Sequence, residues 1–310
     1  MIQSSNLIIN HILKFGNYRS SEIPRKHFRE LLTALSELKK KDIVLIPQFI
    51  RLAKKTDGKL IINDTNYPKY GLKKYARKLK NLKTSGYEDG FKIVFFLWES
   101  SGQRIPLGFA LWHKHSKSIN DLALTGLSRL RNEFKLKPKV VLADGFYSAD
   151  KIVKRLTDYG WTFVFRWRCN RKLSDTSIKK LIPRGYGEKT GYLKNNSKVK
   201  IFRRKNRFFE TNRMLMSVKN MVGLYKLRWT IEETFRVLKV CIGINRCHQH
   251  SVLLQELFFY CCLVAFYCLE RMKTSTIYKL KQTVNFQSVC FDNSILMEVF
   301  TPSPFTFFQV

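Results

Sequence analysis

The sequence predicts an α/β protein, a mixed five-stranded sheet flanked by helices, with a small β insertion before the last helix of its candidate site. Three observations predict it. Between 59 and 167, apolar strand-like runs and amphipathic helical runs follow the order strand, strand, strand, helix, strand, helix, strand. The first and fourth of those strands each end in an aspartate, Asp64 and Asp144. After the insertion comes a run without glycine or proline, Tyr225 to Lys239, made mostly of good helix formers.

Residues 1–56 read as helical. Arg25 to Lys41 puts Phe28, Leu31, Leu32, Leu35 and Leu38 on one stripe, and Pro24 suits a helix start. Lys59 to Asp64 (KLIIND) is the first strand, closed by the turn-like Thr65-Asn-Tyr-Pro68. A basic loop from Lys69 to Lys83 follows, with Tyr70 and Tyr75 interleaved. Phe91 to Glu99 and Pro106 to His113 read as a hairpin that pairs back on the first strand. Asp121 to Phe134 is a helix, with leucines at 122, 124, 127 and 130. Lys139 to Asp144 (KVVLAD) is the fourth strand, Ser148 to Tyr159 a helix, and Trp161 to Trp167 the fifth strand. His113 and His115 end a strand, and Trp161 and Trp167 read as sheet packing.

Two antiparallel hairpin strands followed by strands reached through helical crossovers give a ribonuclease-H-like sheet. In that topology the first and fourth strands lie side by side and parallel. Asp64 and Asp144, 80 positions apart, then emerge at one edge. From Cys169 to Val218 the pattern turns to short alternating stretches broken by Gly185, Gly187, Gly191 and Asn195-Asn196, read as the β insertion. Leu253 to Leu269 is close to membrane length, but Gln255 and Glu256 mark it as a buried helix, and no membrane partner is expected. The tail, 273–310, shows no usable pattern.

The chain carries 57 Lys+Arg against 23 Asp+Glu, a formal charge of +34. That imbalance points to a polyanionic partner whose phosphates Lys and Arg neutralise. Seven cysteines without framework spacing suggest reduced core thiols in a cytosolic protein. No basic segment followed by an apolar core opens the sequence. Cys241, Cys247, His248 and His250 fit no standard zinc spacing.

At about 100° per residue, Tyr225, Arg228, Glu232 and Lys239 fall within roughly 60° of one another. Leu224, Ile231, Phe235 and Leu238 fill the neighbouring apolar stripe. Glu233 points away, and Asp150, inside a helix, reads as a surface residue. A surface helix with an ordinary Arg–Glu pair would show the same spacing.

Tyr-x2-Arg-x3-Glu-x6-Lys, in the order Tyr225, Arg228, Glu232 and Lys239, resembles the YREK signature of DDE transposases of the insertion-sequence type-4-like group. Asp64 in NDTNYPKYG and Asp144 in LADGFYS are similar to that family's first and second aspartate motifs. Arg166 to Leu173 (RWRCNRKL) is similar to the segment after its fifth strand, so the resemblance covers roughly 59 to 270. It implies that Asp64, Asp144 and Glu232 are catalytic and hold two Mg²⁺ ions, with Mn²⁺ able to substitute. It also implies that Tyr225, Arg228 and Lys239 contact DNA phosphates near the cut. The implied activity is metal-dependent cleavage at the element ends, then strand transfer of the 3′-hydroxyl into target DNA. The implied partners are double-stranded DNA, as terminal repeats and target, and a second copy of the chain in a homodimer. The implied location is the nucleoid of a prokaryotic cytoplasm.

The expected organisation is a helical region at 1–56, serving as a DNA-end-binding module or a cap on the core. A catalytic domain at 57–272 follows, with the insertion at 169–218, and then the tail. A decayed relative that binds DNA without cutting is the alternative, and a basic RNA-associated structural protein is a third reading. Relatives stack a flipped base on an aromatic of the insertion. This insertion has no tryptophan, only Tyr186, Tyr192, Phe202, Phe208 and Phe209.

Overall fold

A computed structural model describes residues 25–69, 74–81, 84–168, 171–183, 185–247 and 251–271. Helix α1 (Arg25–Leu38) leads into β1 (Lys39–Lys40), β2 (Ile43–Leu45) and α2 (Pro47–Lys54). The all-helical expectation for 1–56 is therefore corrected where it falls on described residues. Ile43–Leu45 is wholly buried and pairs antiparallel with Phe109 and Gly108, so it adds an edge to the sheet. Three residues are too few for a strand period to show.

Next come β3 (Lys59–Pro68), β4 (Arg77–Lys80), β5 (Tyr87–Ser100) and β6 (Gln103–Trp112), then α3 (Ile119–Asn132). β7 (Val141–Ala143), α4 (Asp150–Asp158) and β8 (Phe163–Trp167) complete the central pattern. Beyond it lie β9 (Lys172–Leu173), β10 (Thr176–Ser177), α5 (Ile178–Leu181), β11 (Tyr186–Tyr192), β12 (Lys198–Arg204) and β13 (Arg207–Thr211). The last helices are α6 (Val218–Leu227), α7 (Trp229–Val237) and α8 (Val252–Arg271).

The main sheet runs β1-β2-β6-β5-β3-β7-β8-β13-β12-β11, with β4 paired to β5. Its centre, β6-β5-β3-β7-β8, is antiparallel between β3, β5 and β6 and parallel from β3 through β7 to β8. This is the expected ribonuclease-H-like mixed sheet flanked by helices. β7 is buried along all three residues, as a strand covered by helices on both faces must be. Of the insertion strands, β9 and β10 pair with each other in a small separate sheet, whereas β11, β12 and β13 extend the main one. β13 pairs antiparallel with β8, Phe208 opposite Trp167 and Glu210 opposite Phe165, and carries the same sheet outward.

Helix α3 starts at Ser118, whose side chain accepts the Asp121 backbone N–H. It reaches the sheet through Gly126, where a Cβ would run into the Phe96 ring. Gly126→Val is expected to cost about 1–3 kcal/mol of stability from overpacking, read from the midpoint of urea unfolding.

Helix α8 is long and apolar enough to cross a membrane, yet it is largely buried within the protein. Its two polar core groups have partners. Tyr67 Oη donates to Gln255 Oε1 at 3.0 Å, and Lys39 Nζ meets Glu256 Oε2 at 2.9 Å. The five described cysteines are free thiols. Burial pushes Cys261 and Cys268 each up to about 12, so both are inert at neutral pH. His248 and His250 of the zinc-like spacing, the ends of the basic loop (70–73, 82–83), residues 1–24 and the tail lie outside the described residues.

Candidate active site

β3 and β7 run parallel, and their last paired residues are Ile62 and Ala143. Asp144 follows directly at the end of β7. Asp64 sits two positions past that last pair. It is not at a strand end, as the sequence suggests, because β3 continues to Pro68 against β5. The carboxylate is freed by the shortness of β7 rather than by the end of β3.

The loop after β7 clamps both aspartates. The Phe146 backbone N–H donates to Asp144 Oδ1 at 2.7 Å, and the Tyr147 hydroxyl donates to Asp64 Oδ1 at 3.0 Å. Tyr147 is fully buried, which raises its phenol well above its ordinary range and keeps it a donor. Burial raises the Asp144 carboxyl, and nearby Asp64 raises it further. The Phe146 N–H, Arg228 and Arg168 act in the opposite sense. Lys92 Nζ, from β5, lies 2.7 Å from Asp64 Oδ2.

The Tyr225–Lys239 run is not one uninterrupted helix. Helix α6 ends at Leu227 with Arg228 as its cap, α7 begins at Trp229, and Leu238–Ile242 forms a wider π turn before Gly243 in the left-handed region. Of the four predicted side chains, Glu232 and Lys239 bond residues of β3, Arg228 bonds Glu232, and Tyr225 packs on β13. Arg228 Nη1 donates to Glu232 Oε1 at 2.9 Å, and Asn63 Nδ2 donates to the same oxygen at 2.8 Å. Lys239 Nζ reaches Thr65 Oγ1 at 2.6 Å and the Asn66 carbonyl at 3.1 Å. Tyr225 packs edge-on to Phe209 of the insertion, ring centroids 4.9 Å apart, and lies 5.6 Å from the Arg228 guanidinium. Burial raises the Tyr225 phenol. Arg228 Nε is buried with no hydrogen-bond partner among the described residues.

Asp64, Asp144 and Glu232 thus stand around one strand edge. Among the described residues, however, no three His, Cys, Asp or Glu side chains come close enough to share an ion. The donor chemistry of the aspartate pair fits a hard divalent cation: all-oxygen ligands, crowded so that one ionised carboxylate disfavours the other.

Several site residues escaped the sequence reading. Asn63, Lys92 and Tyr147 are polar side chains whose meeting with the acids depends on strand register and loop path. Trp229, beside Arg228, is 54% exposed, a conspicuous position for the largest aromatic. In the insertion, Tyr186 and Tyr192 are exposed while Phe202, Phe208 and Phe209 are buried. Lys69 of the basic loop is buried and its ammonium pKa is lowered by that burial, whereas Lys78 and Lys80 face solvent. Glu233 is exposed as expected.

Asp150 is not a bare surface acid. Arg171 Nη2 binds it at 2.6 Å, while Arg171 Nη1 reaches Glu210 Oε2 at 3.1 Å and also donates to Ser148 Oγ. Ser148 in turn donates to Glu210, whose side chain has no solvent exposure. The insertion strand β13 is thereby tied to the loop that carries Asp144.

Residues 54–268 match a family described as the transposase DDE domain. The solved piggyBac transposase synaptic complex with hairpin DNA superposes with a TM-score of 0.52 at 12% identity. The overlap covers 81% of this chain and 56% of that one. The catalytic domain of human Endonuclease V overlaps over 69% of this chain and 99% of its own at 11% identity. Its TM-score of 0.29 is too low to carry an argument. No curated protein matches the sequence.

Proposed function

The chain belongs to the transposase DDE-domain family, and from that premise we propose that it cuts DNA at the ends of an insertion sequence and joins the freed 3′-hydroxyl to target DNA. The observation that carries this reading is the parallel β3–β7 pair, which delivers Asp64 and Asp144 to one edge beneath the helix that bears Arg228 and Glu232. The spacing of Tyr225, Arg228, Glu232 and Lys239 supports a place in the type-4-like group.

Asp64, Asp144 and Glu232 would hold two Mg²⁺ ions, or Mn²⁺ in their stead. Bound there, such cations activate a nucleophilic oxygen and neutralise the departing oxyanion. The protein's own groups bind and orient the DNA. Arg228 offers a phosphate the buried Nε that has no partner among the described residues. Tyr225 on α6 and Lys239 in the π turn after α7 flank it, and the exposed Trp229 ring offers a base a stacking face. Tyr147 and the Phe146 N–H fix the aspartate oxygens, so little reorganisation is needed as charge develops. The high positive charge draws in two element ends, one for each protomer of a homodimer, within a prokaryotic nucleoid. We assign 1–56 to end binding or core capping, and 57–272 to catalysis.

One observation favours a second reading, a relative that binds DNA without cutting. Glu232 is already engaged by Asn63 and Arg228, away from the aspartate pair. End-labelled duplex carrying the element's own terminal repeat decides between them. Nicking at the repeat end with Mg²⁺ or Mn²⁺, abolished by EDTA, is the expected result. Tight binding with no nicking in either metal would overturn the catalytic reading in favour of the second.

A further inference from the structure

We propose that Lys92 is a built-in counter-ion of Asp64 that competes with the divalent cation for this carboxylate and must be displaced for the site to load. The inference rests on the reading of Asp64 as a metal ligand.

Lys92 lies on β5 opposite Asn66, two positions from Val94, which faces Asp64. With a period of two, Asp64, Val94 and Lys92 share one face of the sheet, and the lysine reaches the carboxylate diagonally. Its ammonium sits 2.7 Å from Oδ2 while Tyr147 holds Oδ1, so both carboxylate oxygens have donors. The pair is well shielded, Asp64 being 11% and Lys92 27% exposed. Like charges at contact distance in such a setting repel strongly. A divalent cation on Asp64 and the ammonium at its present position are therefore mutually exclusive.

Displacement needs only a swing of the side chain. The β5 backbone is fixed by pairing on both sides, Asn66 on one and Trp112 on the other, so only the flexible stem moves. In its present position the ammonium already lies 5.9 Å from the Phe146 ring, which Arg168 faces more closely at 4.9 Å. With its backbone fixed, a released Lys92 ammonium stays within reach of Asp144's loop, where a substrate phosphate would meet it. A site arranged in this way resists stray cations and loads when metal and phosphate arrive together.

Mn²⁺ titration of the full chain without DNA, reading free Mn²⁺ by electron paramagnetic resonance, tests the proposal. Lys92→Met is expected to tighten Mn²⁺ binding about tenfold or more, and to enlarge the rise in Tm that Mn²⁺ produces. Lys92→Arg is expected to keep the wild-type affinity, and adding Asp64→Asn to Lys92→Met to erase the gain. If Lys92→Met does not fold, Lys92→Gln reads the same quantity with a polar partner left for Asp64. Unchanged or weaker binding in the neutral variants, while wild type binds, overturns this proposal and leaves the transposase reading intact. No binding by wild type or any variant overturns the metal-dependent reading and this proposal with it.

Discussion

Asp64→Asn, Asp144→Asn and Glu232→Gln are each expected to lower metal-dependent nicking at least about a thousandfold while leaving duplex affinity within a few-fold of wild type. Cation stabilisation of the reacting oxygens is worth several kcal/mol, and about 4 kcal/mol corresponds to a factor of a thousand in rate. The amides keep the shape of the side chains, so folding survives and the loss is one of ligand charge. Asp144→Asn is the cleanest of the three. Its carboxyl accepts the Phe146 N–H, and an amide oxygen can accept the same bond. Asp64→Asn loses its charge pairing with Lys92, so its binding control is read beside a melting curve. Glu232→Gln tests most directly whether Glu232 is one of the metal ligands. If Glu232 only braces Asn63 and Arg228, a glutamine oxygen serves as well and nicking persists. Nicking assays on labelled duplex, with gel-shift affinity as the control, read all three.

The parts of this site legible in the sequence are those that local pattern encodes. KLIIND and KVVLAD announce themselves as apolar runs closed by acids, and the Tyr225–Lys239 spacing follows from one angle per residue. What the sequence does not show is non-local or too short for a period to register. β3 runs on to Pro68 because β5 is long enough to pair with it, which no residue of β3 announces. The break at Arg228 and the π turn after Val237 change the hydrogen-bond partner without disturbing the apolar stripe. Lys92 meets Asp64 only through the register that sets it opposite Asn66. The insertion's strands were visible as alternation, but their docking on β8 depends on Phe208 meeting Trp167 across a gap of 40 positions. Glu210, the most buried acid among the described residues, sits in an alternating basic stretch that gives no sign of its burial.

That acid gives the other large expected effect. Burial raises the Glu210 carboxyl from 4.5 to about 7, even though Arg171 and the Ser148 hydroxyl pull it down. A folded-state pKa above the unfolded value means that the native state holds the proton more tightly. The corresponding stability is fully present below about pH 4.5 and is lost as pH rises through about 7. At 1.36 kcal/mol per pKa unit, wild type is expected to lose about 3 kcal/mol across that window from this group. Glu210→Gln, an amide that cannot ionise, removes that slope. Arg171→Met does the opposite, because the ionised carboxylate keeps no cation at 3.1 Å. Its cost is expected to be about 3–5 kcal/mol at pH 8, the usual penalty for stranding a buried charge. It should be much smaller at pH 5, where Glu210 takes up a proton instead. Urea unfolding at the two pH values measures both variants, and a cost for Arg171→Met that is equal at pH 5 and pH 8 would rule out a charge-based role. Because Ser148 lies four residues from Asp144 and one from Tyr147, the same substitution loosens the loop that holds both aspartates. Nicking by Arg171→Met should therefore recover toward wild type as pH falls from 8 and the network regains its proton.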